Sequence, residues 1–229
     1  MIVEDFQINQ CRGIEPMVLA TSFEIFSIKA PATRVSEAIT QLNPIALIHA
    51  EAIGRVIRAS KRGIVLLQLR GFDWTIMYEH RTALSSDRVE LSQLSDMLQT
   101  RVMTLTVTDT APYIYQQVWD KGKSVEHIDF RDDHFVKLES QIREVNEACI
   151  DDDSLNYFYS EQGVYIPDLQ ITSESIEDNS KSLFMFKVSG EFSGCLRKQF
   201  ENMSSEERFK DYQLERDDFE RFDYITFEE

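Results

Sequence analysis

The sequence predicts an α+β fold, a mainly antiparallel sheet with helices packed on one face. Segments of strand character arrive in pairs, in the order β-α-β-β-α-β-β-β-α, instead of alternating singly with helices. That order disfavours a doubly wound parallel sheet. Glycine-bearing turns at Lys61-Arg62-Gly63 and Asp120-Lys121-Gly122-Lys123 suit reversals between neighbouring strands. The helical segments each carry a single apolar stripe, as helices laid on a sheet do.

Taken in order, residues 23–30 read as a strand in which Phe23 and Ile25 alternate with Glu24, Phe26 and Ile28. Pro31 suits a helix start, and Val35, Ala38, Ile39 and Leu42 then follow at the i, i+3, i+4, i+7 spacing of a buried stripe. Residues 45–58 fit either a helix or short strands, because Ile45, Ile48, Ala52 and Val56 have helical spacing while Gly54 and the β-branched content oppose it. The apolar run 64–69 reads as a central strand, and 74–78 as its hairpin partner or bulged continuation beyond Gly71. Asp87 with Glu90 resembles a helix-start box ahead of the stripe Leu91, Leu94 and Leu98. In 102–107, Val102, Thr104 and Thr106 share one face of a strand and Met103, Leu105 and Val107 the other.

Strands 113–119 and 125–130 flank the turn at Gly122, a residue free to take positive φ. Asp132-Asp133 read as caps for a helix whose stripe is Phe135, Leu138, Ile142, Val145 and Cys149. Asp151–Asp153 precede a short helix with Leu155, Phe158 and Tyr159 on one face, closed by Gly163. The polar stretch 168–182 reads as a long loop or linker, followed by a strand at 183–188. Ser204 and Glu207 form a capping box before a helix at 208–214, and 222–227 is a last strand. The expected organisation is one domain over residues 1–229, with the acidic part from about 168 to 229 folded onto it.

Composition narrows the function classes. The 229 residues are 42% hydrophobic with only 8 Gly and 5 Pro, so the chain is neither low-complexity nor collagenous. No apolar run approaches the roughly 20 residues of a membrane helix. The acidic start MIVEDFQINQ is unlike a signal peptide, so a cytoplasmic protein without membrane contact is expected. Cys11, Cys149 and Cys195 form neither a disulfide framework nor a zinc motif and read as buried hydrophobes.

The net charge of −16 is strongly polarised. Residues 1–115 carry 11 Lys and Arg against 12 Asp and Glu, whereas residues 116–229 carry 13 against 28. Such a surface repels phosphate backbones, and direct nucleic-acid binding is not expected. It keeps the protein soluble, and it attracts basic partners.

Dinucleotide-binding, P-loop, zinc-protease, serine-hydrolase and EF-hand signatures are all absent, and no cofactor is implied. One cluster carries chemistry: His127, Asp129, Asp132, Asp133 and His134. His127 and Asp129 share a strand face, and a turn after Phe130 would bring Asp132 or His134 beside them. Two imidazoles and two carboxylates suit a divalent metal that activates water; equally, the same residues suit a hairpin and a helix cap. Trp74, Trp119, Phe72, Tyr78, Tyr113 and Tyr115 read as core or as an exposed aromatic face, and Asp73 as a turn residue or a catalytic carboxylate. Arg55, Arg58 and Arg62 would share a helical face able to hold an anion if 45–58 were helical.

Two functions are therefore expected. The first is a non-catalytic interaction or regulatory module that binds a basic protein partner through its acidic C-terminal half, with Glu215, Asp217, Asp218 and Glu220 as binding residues. Mimicry of nucleic acid is its extreme form. The alternative is a metal-assisted hydrolase using His127, Asp129, Asp132 and His134.

Overall fold

The computed structural model describes residues 11–14, 23–54, 56–58, 63–80, 90–108, 113–178, 181–191 and 216–227. In chain order they form β1 (Gly13–Ile14), β2 (Phe23–Ile28), α1 (Ala32–Leu42), β3 (Ala46–His49), β4 (Val56–Arg58), β5 (Gly63–Leu69), β6 (Thr75–His80), α2 (Leu91–Leu98), β7 (Arg101–Thr108), β8 (Tyr113–Asp120), β9 (Lys123–Arg131) and β10 (His134–Ser140). A 3-10 turn (Glu147–Ile150), α3 (Asp152–Glu161), β11 (Tyr165–Ile166), β12 (Asp168–Asp178), β13 (Lys181–Glu191), a second 3-10 turn (Arg216–Asp218) and β14 (Phe219–Phe227) follow.

Nine strands make one antiparallel sheet in the order β10-β9-β8-β7-β2-β6-β5-β14-β3. β12, β13 and β4 form a three-stranded sheet, and β1 pairs with β11 in parallel. The fold is α+β, as the paired arrival of strands predicts. No helix among the described residues is long and apolar enough to cross a membrane.

Because side chains alternate along a strand, each face of the large sheet builds its own core. Phe26, Ile28, Val102 and Phe227 pack with Val35 and Ile39 of α1 and Leu94 and Leu98 of α2. Ile25, Met103, Leu105 and Phe222 face the opposite way, onto Leu155, Phe158 and Tyr159 of α3. The expected one-sided packing thus holds for α1 and α2, while α3 lies on the other face. Pro31 offers no side-chain acceptor at the start of α1, so a neighbouring strand supplies one: Ala32 N donates to Gln68 Oε1 at 3.0 Å. Gln68 Nε2 in turn donates to Phe72 O at 2.7 Å.

β14 is inserted between β5 and β3 and is buried on both faces. Phe219, Phe222, Tyr224, Ile225 and Phe227 are all sealed from solvent, each worth about 1.5–3 kcal/mol of burial. The acidic end of the chain is therefore joined to the main sheet by its own aromatic residues.

Several expectations are corrected. Residues 134–140 are strand β10, not the start of a helix. Asp132 and Asp133 are not helix caps: with φ of 51° and 61° they are the two central residues of a tight β9–β10 reversal, a conformation that Asp tolerates. A register shift between Phe135 and Lys137 puts Phe135 and Leu138 on one face, so a bulged strand imitates the i, i+3 spacing of a helix. Phe135 meets Phe130 edge-on, with ring centroids 5.1 Å apart.

The supposed loop 168–182 is mostly strand: β12 pairs with β13 from Asp168–Glu191 through Asp178–Lys181. Residues 45–58 contribute β3 and β4, which removes the helical face proposed for the arginines; Arg58 lies in β4, and Arg55 and Arg62 lie outside the described residues. Glu90 itself stands at the cap of α2, while Asp87 and the helix expected at 208–214 also lie outside them. Trp74 and Phe72 are core residues, and Asp73 is an exposed bend beside them.

Candidate functional site

The acidic group expected to bind a partner sits where the chain enters β14. Glu215 lies outside the described residues; Asp217 and Glu220 are exposed, and Asp218 is half-buried, its carbonyl accepting Arg70 N at 2.8 Å. The neighbouring cations are both paired with carboxylates, Arg216 at the surface and Arg221 partly buried. Arg216 pairs with Glu51. Arg221 reaches Glu51 Oε1 at 3.6 Å and donates from Nε to Asp223 Oδ1 at 2.7 Å. Asp223 is fully buried and also accepts Ser36 Oγ at 3.0 Å and Glu51 N at 3.1 Å. A buried carboxylate without such donors would be costly, so this network explains where the Arg221 guanidinium goes.

The histidine cluster is divided by the strands that carry it. His127 and Asp129 do share a face of β9, but each is engaged separately. The His127 ring stands edge-on to Tyr115, centroids 5.3 Å apart. Burial, reinforced by Lys137, lowers its pKa from the ordinary value. Asp129 accepts Arg131 Nε at 2.8 Å together with Nη2, and these hydrogen bonds hold its carboxyl below the usual range. Arg131 lies 5.6 Å over the Tyr113 ring. Asp132 is consumed by the turn, and the exposed His134 places Nδ1 3.1 Å from Asp132 O. Among the described residues no three His, Cys, Asp or Glu side chains converge as metal ligands. The two imidazoles and two carboxylates are not brought together.

A different surface has the shape of a site. A groove of about 820 Å³ runs between α3 and the chain leaving β10, lined by Ile142, Arg143, Asp153, Tyr157, Phe158 and Glu161, among others. Its walls are well anchored. Asp151 caps α3, Oδ1 accepting Ser154 N at 2.6 Å. Asn156 Oδ1 accepts Ile14 N at 2.9 Å, and Gln162 O accepts Trp74 Nε1 at 3.1 Å. Arg143 lies 3.9 Å over the Phe158 ring and donates to Glu126 from Nε at 2.9 Å and Nη2 at 3.0 Å. Glu126 is buried and also accepts Gln116 Nε2.

Asp153, Tyr157 and Glu161 are spaced i, i+4, i+8, the periodicity that aligns side chains on one helical face. All three are exposed, Tyr157 by 60%. That polar stripe is visible in the sequence beside the buried one of Leu155, Phe158 and Tyr159, and it was the signal available for this groove. The opposing wall was not visible, because it depends on a strand that reads as a helix.

No protein-family model, curated protein or solved structure matches this chain.

Proposed function

We propose that the protein is a non-catalytic interaction module that binds a basic protein partner through the acidic surface of its C-terminal half, with Glu215, Asp217, Asp218 and Glu220 among the binding carboxylates. One observation carries this reading: Arg216 and Arg221 are spent on Glu51 and Asp223, while Asp217 and Glu220 stay exposed at the head of β14. Next to these carboxylates β14 is paired with β5 at Phe219 and Arg221, which anchors them to the main sheet and reduces the ordering cost of binding. An unneutralised acidic surface steers a basic protein and repels phosphate backbones, which supports a protein partner over nucleic acid. The reading includes a cytoplasmic location, where a reduced Cys11 is stable.

The test is affinity capture at low and high salt, followed by calorimetry with the basic protein so identified. Salt-sensitive binding weakened in the variant E215Q/D217N/D218N/E220Q is the expected result. Unchanged binding by that variant removes these four residues from the interface, and partners without basic character refute the reading.

A further inference from the structure

Resting on the proposed interaction with a basic partner, we infer that the α3 groove is a binding site for an extended peptide segment bearing arginines at positions i and i+4. The cavity of about 820 Å³ lies within the range of pockets that bury a ligand. Its ligand class follows from the lining. Asp153 and Glu161 contribute carboxylates, whereas Arg143, the one cation of the lining among the described residues, is already matched by the buried Glu126 beneath it. The groove is left with negative charge around an aromatic centre.

The spacing sets the conformation of the segment. Asp153 and Glu161 are separated by eight residues of helix, about 12 Å along the axis at 1.5 Å per residue. An extended chain covers that distance in about four residues at roughly 3.3 Å each, and residues i, i+2 and i+4 project to the same side. Arginines at i and i+4 then meet Asp153 and Glu161, while the residue at i+2 lies over the exposed ring of Tyr157. Arginine suits this surface better than lysine, because its planar guanidinium pairs with a carboxylate in two places and stacks on an aromatic face. Arg143 over Phe158 is an example of that stacking within the same groove.

The probe is a fluorescein-labelled peptide containing Arg-Ser-Leu-Ser-Arg, titrated with the full-length protein and followed by anisotropy at two salt concentrations. Three comparison peptides carry the same residues as Arg-Arg-Leu-Ser-Ser, citrulline in place of both arginines, or lysine in place of both. Binding of the first peptide should weaken with salt and fall roughly five- to tenfold in D153N/E161Q, two exposed and isosteric changes. Tyr157→Ala should also weaken it, and the quadruple variant at residues 215–220 should leave it unchanged. Equal binding of the rearranged or citrulline peptide overturns the inference, since neither spacing nor charge would then matter. Loss in the 215–220 variant but not in D153N/E161Q also overturns it, while leaving the broader interaction reading in place. A dimer in solution that Tyr157→Ala dissociates would assign the groove to a second copy of the chain and overturn it as well.

Discussion

Arg143 holds the buried carboxylate of Glu126 with two parallel hydrogen bonds, Nε to Oε2 at 2.9 Å and Nη2 to Oε1 at 3.0 Å. Glu126 projects from β9 into the apolar side of the sheet, its side chain wholly removed from solvent. The chain leaving β10 must therefore return across that face to deliver a guanidinium, and in doing so it forms one wall of the groove. Arg143→Ala strands a buried charge and should cost about 3–5 kcal/mol in urea unfolding. The double variant R143M/E126L, which removes both charges, should recover most of that loss. No recovery would mean that the guanidinium acts chiefly by packing on Phe158.

The β8–β9 reversal makes a second prediction. Lys121 and Gly122 have φ of 51° and 79°, the pair of positive values that a two-residue hairpin turn requires. Gly122 is also crowded: a Cβ there would lie 2.8 Å from Asp96 Cβ, and its N–H donates to Ser95 Oγ at 3.1 Å. Gly122→Val should lower stability by about 2 kcal/mol or more, through backbone strain and displacement of α2. Thermal unfolding checks this, and an unchanged midpoint would refute it.

Gly63 tests how closely β14 approaches β5. A Cβ at this position would overlap the ring and hydroxyl oxygen of the fully buried Tyr224. Gly63→Val should therefore destabilise by about 2–3 kcal/mol, because a buried aromatic ring cannot move aside cheaply. Hydrogen exchange should show the loss first in the β5–β14 pairing; uniform protection along β14 would contradict it.

His127 gives the pH dependence. Burial lowers its folded-state pKa below the ordinary 6.5, so between the two values the unfolded chain binds more protons than the folded one. Its contribution is fully present above the unfolded pKa and is lost as pH falls from there toward the folded value. The imidazole Hε1 signal should titrate with a midpoint below 6.5. His127→Gln should flatten the stability profile in that window, and an unaltered profile would rule out the linkage.

Much of the fold was legible locally. The stripe of Val35, Ala38 and Ile39 specifies α1, the run Ile64–Leu69 specifies an interior strand, and Gly122 marks the β8–β9 turn, because each depends on neighbours within a few residues. The eight phenylalanines beyond residue 180 implied that the acidic end is not an isolated tail; of these, Phe219, Phe222 and Phe227 are core residues of the main sheet.

Tertiary pairing decided the rest. β10 reads as a helix because its bulge spaces Phe135 and Leu138 three residues apart on one face, and only the register with β9 separates the two possibilities. β12 reads as a loop because its residues are polar; its strand state comes from pairing along the whole of β13, which no local propensity encodes. The carboxylates of α3 were visible as a stripe, but the groove beside them exists because Glu126 and Arg143, 17 residues apart, meet inside the protein. Sequence patterning determined which residues seek burial and where the chain turns. The structure decided which distant side chains satisfy one another, since a buried charge accepts its partner from wherever the fold can bring one.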